Sequence, residues 1–170
     1  VAAELVPLAI ALCEQRGMSG KELVTIIAAG YDVFGAIQPG VKGAQRERGL
    51  DHKSQAGTLA SAVVAALAMG LDTDKIANAL ALSMDMASGT EQYVFDAGLC
   101  DTKDLLSGYA VRNGMYAAHL AEAGFRGPPG ALDGEYGYYH AFGDGYDPDF
   151  LSGIGKEFVI AETGFKPHAG

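Results

Sequence analysis

Two lysines and a histidine stand in settings that point to chemistry: Lys103 in Asp101-Thr102-Lys103, Lys166 in Phe165-Lys166-Pro167-His168, and His52 in Arg48-Gly49-Leu50-Asp51-His52. Each lysine sits in a run too polar or too rigid for ordinary helix surface. With an imidazole that titrates near neutral pH, they read as a site for a small polyanion, with His52 as general acid or base. Proline fixes the chain direction after Lys166 and directs that side chain beyond the segment it ends. Blander roles fit the same residues: an exposed loop histidine for His52 and a solvated helix-start residue for Lys103. Arg112 fits either a buried structural arginine or a ligand for a substrate carboxylate. His119 reads as structural, and His140 with Tyr136, Tyr138 and Tyr139 as packing for an irregular connection.

The elements that must position these groups are mostly helical. Leu5, Leu8, Ala9 and Leu12 recur at helical spacing and Gly17 stops that helix. Ser19-Gly20-Lys21-Glu22 has the form of a capping box, followed by Leu23, Ile26, Ile27, Gly30, Phe34 and Ile37 on one face. Residues 38–53 read as a loop with four basic side chains, Lys42, Arg46, Arg48 and Lys53. Ser54 to Met69 is almost all small or apolar, as a helix buried on every side must be. Asp72 or Thr73 caps a further helix with Ile76, Leu80, Met84 and Ala87 inward. After a loop over 88–102, Lys103 to Ala123 reads as a long helix with Leu105, Tyr109, Arg112, Tyr116 and Leu120 in register. Its N-cap is Thr102 or Asp101, so Lys103 lies in the first turn, where the helix dipole favours a bound anion. Pro148 to Leu151 reads as a helical turn and Glu157 to Glu162 as a strand. The expected fold is an all-α, multi-helix bundle with a short C-terminal β segment.

Composition narrows the function classes. Hydrophobic residues make up 49% and charged ones 19% of the 170 residues, the balance of a packed globular chain. Twelve Lys and Arg against 21 Asp and Glu give a net charge of -9, which repels phosphate backbones and argues against nucleic acid. Cys13 and Cys100 form no paired motif, as expected of unpaired thiols in a cytoplasmic protein. No apolar run reads as a membrane span. The four histidines lack metal-ligand spacing, so no metal is expected, and no phosphate loop, dinucleotide fingerprint or nucleophile elbow is present. The chain opens on Val1 directly into a helical pattern and reads as a piece of a larger protein.

An ordered set of motifs spans the chain: Ser19-Gly20-Lys21-Glu22-Leu23 with Gly30-Tyr31-Asp32, Gly49-Leu50-Asp51-His52, Met69-Gly70-Leu71, Asp101-Thr102-Lys103, Arg112-Asn113-Gly114, Gly124-Phe125-Arg126-Gly127-Pro128, Leu132-Asp133-Gly134 and Phe165-Lys166-Pro167. In order and spacing it resembles the MmgE/PrpD family, which includes 2-methylcitrate dehydratase, cis-aconitate decarboxylase and iminodisuccinate epimerase. The resemblance implies a large helical domain and a smaller α+β lid, an active site between them, a homodimer and no cofactor. Residues 1–155 would belong to the helical domain and 156–170 to the start of the lid junction.

The same resemblance implies His52 as the active-site histidine, Lys103 as the lysine of the Thr-Lys motif and Lys166 as the lysine of the Lys-Pro motif. It also implies an Asp and a His in a segment preceding Val1. Two departures stand out: Leu105-Leu106-Ser107 where the family often has a histidine, and His168 where tyrosine is usual, a substrate-binding position. The implied activity is a cofactor-free lyase on a small di- or tricarboxylate, foremost a hydro-lyase of the 2-methylcitrate dehydratase kind. A decarboxylase or epimerase can use the same inventory. A non-catalytic helical scaffold is the alternative from another class, supported by the net charge and the missing histidine.

Overall fold

The structure, a computed structural model, describes residues 1–96, 98–156 and 158–164, with the side chains of Lys42 and Phe150 left out of the description. Lys166 and His168 therefore lie outside the described residues. The architecture is all-α, with α1 (Ala2–Arg16), α2 (Gly20–Ile37), α3 (Lys42–Glu47), α4 (His52–Ala68), α5 (Thr73–Met84), α6 (Gln92–Phe95), α7 (Thr102–Glu122) and α8 (Tyr138–Phe142). Helix boundaries follow the local chemistry. Gly17 ends α1 at φ 63°, and the Met18 amide returns to the Cys13 carbonyl. The capping box at α2 is formed in both directions: Glu22 Oε2 accepts from the Ser19 amide at 2.7 Å and Ser19 Oγ from the Glu22 amide at 3.3 Å. Asp72 Oδ1 accepts from the Lys75 amide and starts α5.

Helix α4 is the hub, contacting α1, α2, α5 and α7. Leu59, Ala60, Ala62, Val64 and Ala66 are wholly buried, as an all-round apolar helix requires. Small residues set how closely its neighbours approach. A Cβ on Gly114 of α7 would lie 2.6 Å from the Ala62 amide nitrogen and 2.7 Å from the Thr58 carbonyl oxygen. One on Gly57 of α4 would meet Ala110 of α7 and Glu4 of α1. Residue 57 pairs with 110 and residues 61–62 with 114, so α4 and α7 run parallel and their N-termini open at the same end. Conversely, Gly30 of α2 packs on Val64 while Ile37 clusters with Leu59, so α2 runs antiparallel to α4.

Several expectations are corrected. Residues 38–53 are not a plain loop: Gln38–Gly40 forms a 3-10 turn, and α3 follows. Four residues of the second loop form α6. Tyr138–Phe142 is helical, with Tyr138 and Tyr139 buried, whereas Tyr136 is 90% exposed. Along α7 the buried residues are Ala110, Gly114, Ala117, Ala118 and Ala121. Leu105, Tyr109 and Tyr116, expected inward, are 49%, 45% and 59% exposed, and Arg112 is exposed with them. Close approach to α4 selects small side chains, so the largest apolar residues mark the wrong face. His119 is also exposed, 3.4 Å from Glu122.

The proposed strand over 157–162 is a 3-10 turn at Val159–Glu162, with residue 157 outside the described residues. Its β-branched side chains serve packing here. Val159 fills the space over Gly35, where a Cβ would lie 2.6 Å from Val159 Cγ1, and the Val159 amide donates to buried Asp32 Oδ1 at 2.8 Å. Pro148–Leu151 is a 3-10 turn, as the sequence indicates. Contrary to the sequence expectation, Gly20–Gly40 is long and apolar enough, by length and composition alone, to cross a membrane. In this fold its buried face packs on α1 and α4.

Two glycines of α7 test the helix pair with opposite signs. Gly114→Ala should destabilise the protein by about 1–3 kcal/mol through overpacking, although alanine is the better helix former. Gly108 has open space around its Cβ position, so Gly108→Ala should stabilise by about 0.5–1 kcal/mol. Urea unfolding of both variants checks this, and shifts of the same sign would refute the close α4–α7 contact.

Candidate active site

His52 is the first residue of α4 and Asp51 its N-cap. Asp51 Oδ1 accepts from the Ser54 amide at 2.8 Å, as a capping carboxylate does, and Oδ2 accepts from the Tyr93 hydroxyl at 2.6 Å. The segment is also held through its backbone. The Asp51 amide donates to the Gly89 carbonyl at 3.1 Å and the Glu91 amide to the Gly49 carbonyl at 2.8 Å, around an antiparallel bridge between Leu50 and Thr90. Gly89 at φ 129° lets this segment approach the start of α4, since a Cβ there would lie 3.2 Å from that of Ser54. The clasp brings Glu91 Oε1 to 3.9 Å from His52 Nδ1.

Lys103 lies in the first turn of α7, after Asp101 at the N-cap, and is exposed. Because α4 and α7 are parallel, His52 and Lys103 stand at the same end of the pair, where both helix dipoles present their positive ends. A cleft of about 400 Å³ opens there between α4, the 88–90 segment and α7. Its walls carry the hydroxyl residues Ser54, Thr58, Ser88, Thr90 and Thr102, together with Tyr109, Arg112 and Asn113. Neither His52 nor Lys103 lines it, but Thr102 precedes Lys103, and Ser54 follows His52 by two residues. Arg112 is fixed by its own neighbours: Nε and Nη2 donate to Asn113 Oδ1 at 3.2 and 3.0 Å, and the guanidinium lies 5.2 Å from the Tyr109 ring centre. Asn113 Nδ2 in turn donates to the Met86 carbonyl at 3.0 Å. Among the described residues no group of three His, Cys, Asp or Glu could hold a metal ion.

Polar groups support the α4 end from below. Gln45 and Gln55, both fully buried, are hydrogen-bonded to each other, and Gln45 Nε2 also donates to the Tyr138 hydroxyl at 3.1 Å. Across the bundle Ser107 donates to the buried Glu4 carboxylate at 2.7 Å, one turn beyond Lys103. Sequence reasoning passed over Asp51, Glu91 and Tyr93. Only Asp51 carries a local signal, as an N-cap residue before an apolar run. Tyr93 and Glu91 reach the site through long-range pairing, which no local pattern encodes.

Burial pushes the Asp51 carboxyl up. The hydrogen bonds from Tyr93 and Ser54, with the nearby His52 and Lys53 charges, outweigh it and hold the group below the usual carboxylate range. Burial first, then the bond to Asp51, raises the Tyr93 phenol, so it remains a donor across the working range. A carboxyl lowered in the folded state adds stability above its unfolded value and loses it as pH falls through the folded value. Asp51→Asn keeps a competent cap but removes the charge facing Tyr93. At neutral pH it should be about 1–3 kcal/mol less stable than the parent. The gap should close as pH falls below the ordinary carboxylate range and through the lowered Asp51 value. Denaturation across that range measures it; a gap independent of pH would rule out an ionised Asp51.

Comparison with known proteins agrees with this architecture. Residues 1–151 match the MmgE/PrpD N-terminal domain, so Lys166 and His168 fall beyond the matched stretch. The chain is 33% identical over 151 residues to human cis-aconitate decarboxylase, an alignment covering 88% of this chain and 30% of that protein. It thus spans about 30% of the length of the curated relative it matches. With the domain match running from α1 through the turn at Pro148–Leu151, the chain belongs to the MmgE/PrpD family.

Proposed function

We propose that the protein is a cofactor-independent lyase acting on a small di- or tricarboxylate, with this chain supplying one wall of the site. The observation that carries this reading is the hydroxyl- and arginine-lined cleft at the joint N-terminal end of α4 and α7, beside His52 and Lys103. Removing a proton next to a carboxylate needs a base and cations that hold the developing enolate-like charge. His52 serves as acid or base, Lys103 and Lys166 bind carboxylates and stabilise that charge, and His168 takes part in substrate selection. Arg112, held by Asn113 and Tyr109, adds a rigid cation.

Within this class the first reading is a hydro-lyase of the 2-methylcitrate dehydratase kind. Decarboxylation is the second, favoured by the name of the human relative. Residues 1–155 form part of a helical domain and 156–170 lead into a lid. The working unit is a homodimer in the cytoplasm, with no role for nucleic acid or membrane. The exposed face of Leu105, Tyr109 and Tyr116 is consistent with burial against further protein.

Proton NMR of the full-length protein with 2-methylcitrate, cis-aconitate and iminodisuccinate identifies the reaction by which acid is consumed. Silence with these and related acids favours a helical scaffold instead. In that protein Lys103→Ala should lower kcat/KM about ten- to a hundredfold, as loss of a charge-assisted contact does. Exposed Lys53→Ala should change it little. His52→Ala should act mainly on kcat. Equal behaviour of the two lysine variants, with full turnover in His52→Ala, would refute these assignments.

A further inference from the structure

The Glu91 carboxylate lies on the far side of the clasp that holds His52, at the start of α6, and nothing in the sequence marks it. Its Oε1 stands 3.9 Å from His52 Nδ1, with both side chains largely withdrawn from solvent, 22% and 11% exposed. The approach is built by the backbone: the Glu91 amide is tied to the Gly49 carbonyl, and Leu50 bridges Thr90. Two residues on, Tyr93 anchors the same segment to Asp51 at the cap of α4. Both ends of the segment from 91 to 93 are thereby fixed on the turn that carries His52.

We infer that Glu91 is a positioning residue for His52, orienting the imidazole and favouring its protonated form. The inference rests on the proposed acid–base role of His52. Other charged groups surround the pair. Asp51 and Lys53 flank His52 on its own helix, and Tyr93 comes from the crossing segment. Arg46 and Arg48 line a second cleft that Glu91 also lines, and Lys103 begins α7. Arg48 is already engaged by the Gly143 carbonyl and Asp144. Among the described residues, Asp51 is engaged by Tyr93 and Ser54, and Glu91 brings its carboxylate to 3.9 Å from Nδ1. A carboxylate at this distance stabilises the imidazolium and favours the ring orientation that turns Nδ1 toward it.

The test uses the full-length protein with isotopically labelled histidine, the His52 signal being assigned by its loss in His52→Ala. Glutamine is isosteric with glutamate and keeps the backbone bond to Gly49, so Glu91→Gln preserves the clasp. It should lower the His52 pKa by about one unit. The limb of the pH profile that reports His52 should move by the same amount, with kcat affected more than KM. Glu91→Asp should restore part of both shifts. An unchanged His52 titration in Glu91→Gln, with turnover still abolished by His52→Ala, overturns this inference alone. A shifted titration with full turnover in His52→Ala overturns both the positioning role and the acid–base reading it depends on.

Discussion

The close parallel contact between α4 and α7 is the constraint on which the rest of the arrangement depends. Gly114 brings the α7 backbone against Thr58, Ser61 and Ala62, and Gly57 admits Ala110 and Glu4. A larger side chain at either glycine would spread the pair. The helices would then no longer end side by side, and the cleft between Ser54 and Thr102 would change its width. The remaining helices serve this pair: α1, α2 and α5 cover the other sides of α4, so its apolar surface is spent entirely on holding position.

At the mouth of the pair, the chain spends polar groups on rigidity. Asp51 is buried as an ionised cap, a placement that costs desolvation and is offset by the Tyr93 hydroxyl and the Ser54 amide. The buried amides Gln45 and Gln55 extend that polar layer behind α4 toward Tyr138. The same clasp that satisfies Asp51 brings Glu91 to 3.9 Å from His52, so the capping of α4 and this approach share one set of contacts. Loops are commonly where chemistry is carried; here the two loop segments are pinned to each other by backbone bonds and by the Tyr93–Asp51 contact.

Sequence pattern recovered what depends on neighbours along the chain. The capping box at Ser19, the Gly17 stop, the Asp72 cap and the buried character of α4 follow from spacing and residue type, and the structure has each of them. The inner face of α7 was illegible for a physical reason. Apolar size identifies a face that packs at ordinary distance, whereas α7 packs so closely that alanine and glycine face inward while Leu105, Tyr109 and Tyr116 remain outside. The strand reading at Val159 failed similarly, because β-branched residues fill space over Gly35 as readily as they line a sheet. Of the candidate site, the helix start carrying Lys103 was legible, whereas the sequence pattern puts His52 in the loop before α4 and the structure makes it the first residue of that helix. Tyr93 and Glu91 were not legible, since their partners lie about forty residues away in sequence.

The proposed anion site is physically compatible with a net charge of -9 once distance is considered. Charges separated by more than about 8–10 Å are largely screened at physiological salt, so the acidic surface acts chiefly on approach. Close to the cleft, the two helix N-termini contribute fixed positive potential without adding side-chain charge, and Arg112 is preoriented by Asn113 and Tyr109. The buried carboxylate at the cap of α4, Asp51, spends its lone pairs on donors of its own. The global field and the local potential therefore have opposite signs. Such an arrangement slows encounter with anions in general; under the proposed function it retains those small enough to reach both helix ends, a condition that a compact polycarboxylate meets better than any extended polyanion.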